Sequence, residues 1–519
     1  MIRKNLLSLL FMFIAFLVAL SPAYGEETRD NTYKLDNRGE YSLFTNYVDG
    51  FTLRVPHNME VNMDFSSIYA RLENEDIAID IFKEHTGYNP NSYINYSNGF
   101  LKNTWDHKLM SLGYEQLLGN YVHITRWTRP FLERADNDKN YYTVGNIPFD
   151  NYCYTLVIKE KEETELYKEI LGSFNPGYRA TEGKVMKMEG KAVSERNWNR
   201  ETEKFFVDYF LTEDLLTFGL YEPNTNYKMG GQTYNFSKIK GYESSLDYKF
   251  PIIVNYSEFD NTYKHPDLKE RLSQAYGEGK VLELTLQTSN SSAGNQVYKI
   301  LKGEYDEFLR DYGKTISDFN HPVLFRLGNE MNGDWCPYSG YETSRDPEVF
   351  RELYLYVYKI FEEQGANENT IWVFNPNSVS FPNFKWNHSY MYYPGNDYVD
   401  VVGMTAYNTG TYYSYIGETW KTFKELYNDL YYEYIEAFSQ PLMITEFASS
   451  SSGGDKPKWI EDMFSNIYSY PGIKVAIWWD GKDYDGGKVA RNYTLDENAE
   501  TFKAFLDFFK PPWHKKSFG

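Results

Sequence analysis

Residues 346–365, DPEVFRELYLYVYKIFEEQG, lie between two short apolar runs, Val323–Arg326 and Ile371–Phe374, and this unit decides the fold. Asp346 followed by Pro347 is a helix N-cap with proline at the first helical position, where a missing N–H costs nothing. Val349, Phe350, Leu353, Val357, Ile360 and Phe361 recur at helical spacing, so one stripe of the helix is apolar and must be covered. Gly365 follows the last turn, where glycine ends helices. The unit reads strand, helix, strand.

The same alternation runs outward in both directions. Strand candidates are Thr217–Tyr221, Pro251–Tyr256, Val281–Gln287, Val323–Arg326, Ile371–Phe374, Val399–Thr405, Leu442–Thr445 and Val475–Trp478, and Phe502, Phe505, Phe508 and Phe509 form the stripe of a last helix. Eight strands alternating with helices predict an α/β protein built on a (β/α)8 barrel, whose chemistry sits at the C-terminal strand ends. An open doubly wound sheet would call for a glycine-rich phosphate loop, and none is present.

Upstream, the chain divides into three parts. Met1–Gly25 has the form of a secretory signal: Arg3 and Lys4, the apolar run Leu6–Leu20, then Ala23-Tyr24-Gly25 as a cleavage site. Residues 31–177 read as a smaller α+β module of unknown function, with strands at Phe51–Pro56, Ile77–Phe82, Tyr121–Thr128 and Cys153–Ile158 and helices at Ser92–Lys108 and Glu163–Phe174. A connector spans 178–210; within it Thr181–Glu203 is charged, carries Gly183 and Gly190, and lacks an apolar period. The barrel domain is then 211–512. The module shows no chemistry of its own, so a chain starting near Arg200 is expected to fold and act alone.

Composition excludes several function classes. A formal net charge of −20 leaves nothing basic and clustered for nucleic acid. Two cysteines, Cys153 and Cys336, rule out a disulfide framework. No His/Cys/Asp cluster has metal-ligand spacing, so neither a metal nor another cofactor is expected. The 49 Tyr and 11 Trp suit a surface that stacks on the apolar faces of sugars, although most of these rings must serve cores.

Two carboxyls stand at strand ends that face each other across a barrel mouth. Glu330 ends the fourth strand, in LFRLGNEMNGDW (324–335), and Glu446 ends the seventh, in LMITEF (442–447). Retaining glycoside hydrolysis needs one carboxyl to protonate the leaving oxygen and another to attack the anomeric carbon. Arg326 shares strand parity with Glu330 and should point inward. In the third strand Glu283, Thr285 and Gln287 alternate with leucines, so this polar set faces the axis and Gln287 should reach the site floor.

These motifs resemble glycoside hydrolase family 26, which belongs to a clan whose catalytic carboxylates follow barrel strands four and seven. The resemblance rests on Arg326 with NEMNGDW (329–335), on PGNDYVDVVG (394–403) with Tyr407-Asn408, on PLMITEF (441–447) and on IWWD (477–480), and it covers Leu216 to about Phe509. It implies Glu330 as acid/base, Glu446 as nucleophile, Arg326 and Tyr407 as the groups that hold Glu446, Trp335 on the leaving-group side and Trp478 under the sugar at the cleavage point, with parity alone leaving Trp479 open. Asp400 and His321 read as structural. One position departs from the family: mannan-cleaving members carry His before the acid/base, and here Asn329 stands there. An amide at that point can bond the sugar 2-hydroxyl, at which mannose and glucose differ, so mixed-linkage β-glucan and xylan gain on mannan.

The function so implied is a secreted, monomeric, retaining endo-β-glycanase whose partner is a polysaccharide, acting without a membrane once the signal is removed. The alternatives are a depolymerase of exopolysaccharide or cell-wall polymer, and a non-catalytic carbohydrate-binding protein on the same barrel.

Overall fold

A computed structural model describes residues 31–509 except 88, 178–179, 214, 227–233, 261–264, 266 and 290–292. The signal segment Met1–Gly25 and residues 510–512 of the barrel domain lie outside the described residues. Eight parallel strands close into a barrel in chain order: Thr217–Tyr221, Ile252–Glu258, Val281–Gln287, Val323–Leu327, Thr370–Phe374, Val401–Thr405, Leu442–Phe447 and Ile473–Trp479. The first and last strands complete the ring, pairing Thr217 with Val475 through Tyr221 with Trp479. The helix between strands four and five runs Pro347–Glu363, with the Asp346 side chain accepting from the Glu348 N–H.

Alternation along the strands sorts two cores. Residues such as Phe218, Phe325 and Trp478 face the helix ring, whereas Leu324, Val373, Val401, Met443, Val475 and Ile477 fill the barrel interior. The interior is sealed from below by a segment the sequence placed in the connector. A helix over Arg200–Phe206, continued by a π-turn over Val207–Leu211, buries Phe205, Phe206, Tyr209 and Phe210 against the interior cluster. The aromatic spacing of this segment was legible in the sequence, but its charged flank hid it. Upstream of it the described residues of the connector are largely exposed.

The N-terminal region is richer in β-structure than its α+β reading. An antiparallel seven-stranded sheet and a small four-stranded sheet carry two short α-helices, Pro90–Ser97 and Leu166–Gly172. The helix expected to reach Lys108 ends at Ser97, and Lys108–Leu117 is instead the edge strand of the large sheet. Its Ser111, Gly113, Glu115 and Gln116 have low strand propensity, which an edge position tolerates.

Module and barrel are joined by a continuous core. Ile68, Tyr69, Phe82, Tyr93, Phe100 and Trp127 belong to the same apolar cluster as the helix ring. A buried charge network crosses the joint. Arg71 meets Glu348 at 2.7 Å and Asp80 at 3.2 Å, and Lys159 meets Asp346 at 3.2 Å and also pairs with Glu348. The exposed connector therefore does not mark two separable bodies. Cys153 and Cys336 are both free and buried.

Candidate active site

Arg326 is the anchor of the barrel mouth. It is fully buried on the inward face of strand four, and its Nη2 lies 2.7 Å from Glu446 Oε1. Its Nε faces Glu283 at 3.1 Å and donates to Thr285 Oγ1 at 2.9 Å, while Nη1 donates to Asn375 Oδ1 at 2.7 Å. Two of its three nitrogens are thus hydrogen-bonded, as a buried ion pair requires of its donors. Its guanidinium is held charged, since Glu283 and Glu446 outweigh the cost of burial. Glu283 and Thr285 of strand three thus surround Arg326 from below.

Glu446 reaches the mouth through an irregularity. Strand parity points Met443 and Thr445 inward, and Thr445 does meet Thr405 across the interior at 3.0 Å. The pairing of strands six and seven slips there, so that Thr405 opposes Glu446 and two successive side chains turn inward. A bulge of this kind re-aims a side chain. Tyr407 then donates its hydroxyl to Glu446 Oε2 at 2.8 Å, and the Asn329 amide lies 3.5 Å from Oε1.

Glu330 sits on a tight turn at the end of strand four. Gly328 adopts φ 62° where a Cβ would run into the Tyr338 ring, and Glu330 itself takes φ 54°. A left-handed glutamate costs free energy that only surrounding contacts can hold. Here its N–H donates to Asn375 O and its carbonyl accepts from Gly333 N, both at 2.8 Å. Burial and the facing charge of Glu446 push its carboxyl up to about 8, against which the Trp335 Nε1 donor at 3.4 Å acts only weakly. One carboxyl thus favours the neutral acid, while the other is paired with a guanidinium and accepts from a phenol.

Gln287 donates from Nε2 to Asn329 Oδ1 at 2.6 Å, which leaves the Asn329 Nδ2 donor turned toward Glu446. Among the described residues no group of His, Cys, Asp and Glu could hold a metal ion.

Sequence comparison supplies the relatives. The family model for glycosyl hydrolase family 26 matches residues 280–459, which hold both carboxyls and the strands that present them. That stretch, about a third of the chain, is similar to glycosyl hydrolase family 26. Endoglucanase H of Acetivibrio thermocellus is 27% identical over 270 residues, half of this chain and 29% of that protein. A mannan endo-1,4-beta-mannosidase of Bacillus subtilis is 35% identical over 94 residues, 17% of this chain and 24% of the relative. A modular endo-beta-1,4-mannanase from Cellulomonas fimi superposes with a TM-score of 0.47 at 14% identity, over 62% of this chain and 76% of that one. The aligned parts cover under a third of either curated relative's length.

Within this barrel one expected residue is misplaced. Trp478 does not face the mouth: it is fully buried among Phe447, Trp459 and Phe505 on the outer side of strand eight, with its Nε1 bonded to Tyr493 O. Trp479 occupies the inward parity of Val475 and Ile477, is half-buried, stacks on Tyr221 at 5.1 Å and meets Tyr407 edge-on. Residue spacing from Val475 carried that signal. Tyr256 and Asn375 were missed altogether. Arg326 lies over the Tyr256 ring at 5.6 Å, and Asn375 links Arg326 to the Glu330 backbone. Both alternate inward on their strands, the one signal that could have found them. Asp400 and His321 are structural, paired with Arg196 at 2.8 Å and Glu201 at 2.7 Å.

Proposed function

We propose that this family 26 barrel is a secreted, retaining endo-β-glycanase acting by double displacement. The observation that carries the reading is the contrast between its two carboxyls, with Glu330 raised to about 8 and Glu446 bound by Arg326 and Tyr407. In the first step the Glu446 carboxylate attacks the anomeric carbon, while Glu330 gives its proton to the glycosidic oxygen and the leaving chain departs. In the second, Glu330 takes a proton from water, which attacks the same carbon and frees Glu446. Two inversions give net retention. Glu330 and Glu446 are thus the catalytic residues, with Asn329, Arg326, Trp335, Tyr407 and Gln287 around the substrate and Trp479 in place of Trp478.

The substrate proposed is a β-linked glucan or xylan. An amide donor fixed by Gln287 suits an equatorial 2-hydroxyl, and one relative aligned over half of this chain is named an endoglucanase. Mannan is the second reading, favoured by the relatives named mannosidases. Reducing-sugar release from mixed-linkage β-glucan, xylan and mannan, with Glu446→Ala as control, tests both. The reading expects the first two to exceed mannan and the variant to be silent. Strong preference for mannan overturns the substrate, and an active control overturns the mechanism. Export rests on Met1–Gly25, and among the described residues no helix is long and apolar enough to cross a membrane.

A further inference from the structure

Two barrel loops and one helix of the N-terminal module meet beside Glu330. The loop after strand four carries Asp334, Trp335 and Tyr341, and the loop after strand five carries Phe381 and Phe384. Trp335 and Phe381, each nearly half exposed, meet across the two loops with ring centroids 5.3 Å apart. Between the same loops stands Tyr96, from the module helix Pro90–Ser97. Its ring packs against Tyr341 at 5.3 Å and edge-on against Phe384 at 6.1 Å, and its hydroxyl donates to Asp334, the neighbour of Trp335. Tyr96 remains 43% exposed. Gly99 beyond it has no room for a Cβ against the Tyr341 hydroxyl, so the module backbone lies directly on the loop.

Trp105 stands on a second turn of the module that is tied to the same loop. It is 74% exposed on a turn that Asn103 fixes, and its neighbour Asp106 accepts from Asn295 N at 2.6 Å. Asn295 in turn donates to Pro337 O at 2.7 Å, which ties this turn to the loop of Trp335. Single exposed aromatics need no explanation, but several exposed rings held against one loop beside a catalytic candidate do.

We propose that the N-terminal module completes the leaving-group side of the cleft, with Tyr96 and Trp105 as stacking platforms for sugar units beyond Trp335. The proposal rests on the hydrolase reading above. Its occupant is the β-linked chain itself, because Tyr96 is bonded to Asp334 and the turn of Trp105 is tied through Asn295 to Pro337, on either side of Trp335, whose indole N–H points at Glu330. A platform of this kind binds ground state and transition state alike, so its loss should raise KM and spare kcat.

The test uses the full chain with Tyr96→Ala/Trp105→Ala and, separately, Tyr96→Phe. Substrates are whichever of β-glucan, xylan and mannan the wild-type protein cleaves, and an aryl β-glycoside too short to pass Trp335. The double variant should show a KM for the polysaccharide raised by about tenfold, equivalent to about 1.4 kcal/mol, with aryl glycoside kinetics and melting temperature unchanged. Tyr96→Phe keeps the ring and should stay near wild type. An unchanged polysaccharide KM overturns the proposal, as does an equal loss on both substrates, which would mean that the loop itself had shifted. A wild-type protein inert on every substrate overturns the hydrolase reading and this proposal with it.

Discussion

At position 330 the chain holds a carboxyl neutral where water would ionise it. Because the acid form is needed to protonate the leaving oxygen, polysaccharide cleavage should hold up to neutrality and fall as pH rises through about 8. A pH profile of kcat/KM checks this; a fall that begins near the ordinary carboxyl value of 4.5 contradicts it. The same residue has a stability signature. Between 4.5 and about 8 the unfolded chain is ionised while the folded one keeps its proton, so folding weakens as pH rises across that window. Glu330→Gln removes the ionisation, so its melting temperature relative to wild type should climb from pH 5 to pH 8, by about 2 °C or more. A difference independent of pH contradicts the assignment. The two tryptophans of strand eight separate stability from binding. Trp478→Ala should cost about 3–5 kcal/mol of stability by emptying a packed site, whereas Trp479→Ala should leave melting nearly unchanged and raise KM. Gln287 was read from its strand parity, whereas Asn329 and Glu330 stand on the turn after strand four and were read from the motif that contains them. Glu446 was legible as a motif but not as geometry, since the bulge that turns it inward leaves no mark in the spacing of Met443 and Thr445.

Elements were legible where period and propensity agree. Thr217–Tyr221 and Val281–Gln287 have the bounds the sequence suggests, and the other barrel strands differ only at their ends. The edge strand Lys108–Leu117 and the strand Tyr141–Phe149, which contains Gly145 and Pro148, were not, because both contain strand breakers that only sheet context overrides. The plug below the barrel was hidden by its charged flank, and Phe205, Phe206, Tyr209 and Phe210 cover a surface created by eight distant strands. Phe210→Ala should therefore cost about 3–5 kcal/mol, measured by denaturant unfolding, without altering substrate preference. A neutral substitution would show that the segment is peripheral.

Across the whole molecule, the module braces the loop that bears Glu330. Tyr93 accepts from Arg345 at 2.8 Å, and His107 meets Ser344 at 3.0 Å; Ser344 and Arg345 are themselves buried and left-handed. Removing the module strips Asp346 and Glu348 of Lys159 and Arg71, and each one-sided loss of a buried pair costs about 3–5 kcal/mol. Two such losses match the whole stability of an ordinary domain, about 5–15 kcal/mol. A chain beginning at Arg200 should therefore be insoluble or inactive, contrary to what its exposed connector suggests. A soluble, cooperatively melting and active fragment would contradict this. The connector misleads because its exposure is local, whereas the joint is made by residues far apart in sequence.

The central claim is the division of labour between Glu330 and Glu446, and azide rescue of the two alanine variants tests it most directly. With Glu330→Ala, an activated aryl glycoside should still form the glycosyl-enzyme, which accumulates because water is no longer activated. Azide should relieve that block and give a β-glycosyl azide of retained configuration. Glu446→Ala should keep no more than about a hundredth of the wild-type rate, and azide there can give only the inverted product. Retained product from Glu446→Ala, or rescue of neither variant while another carboxylate shows this pattern, would contradict the account.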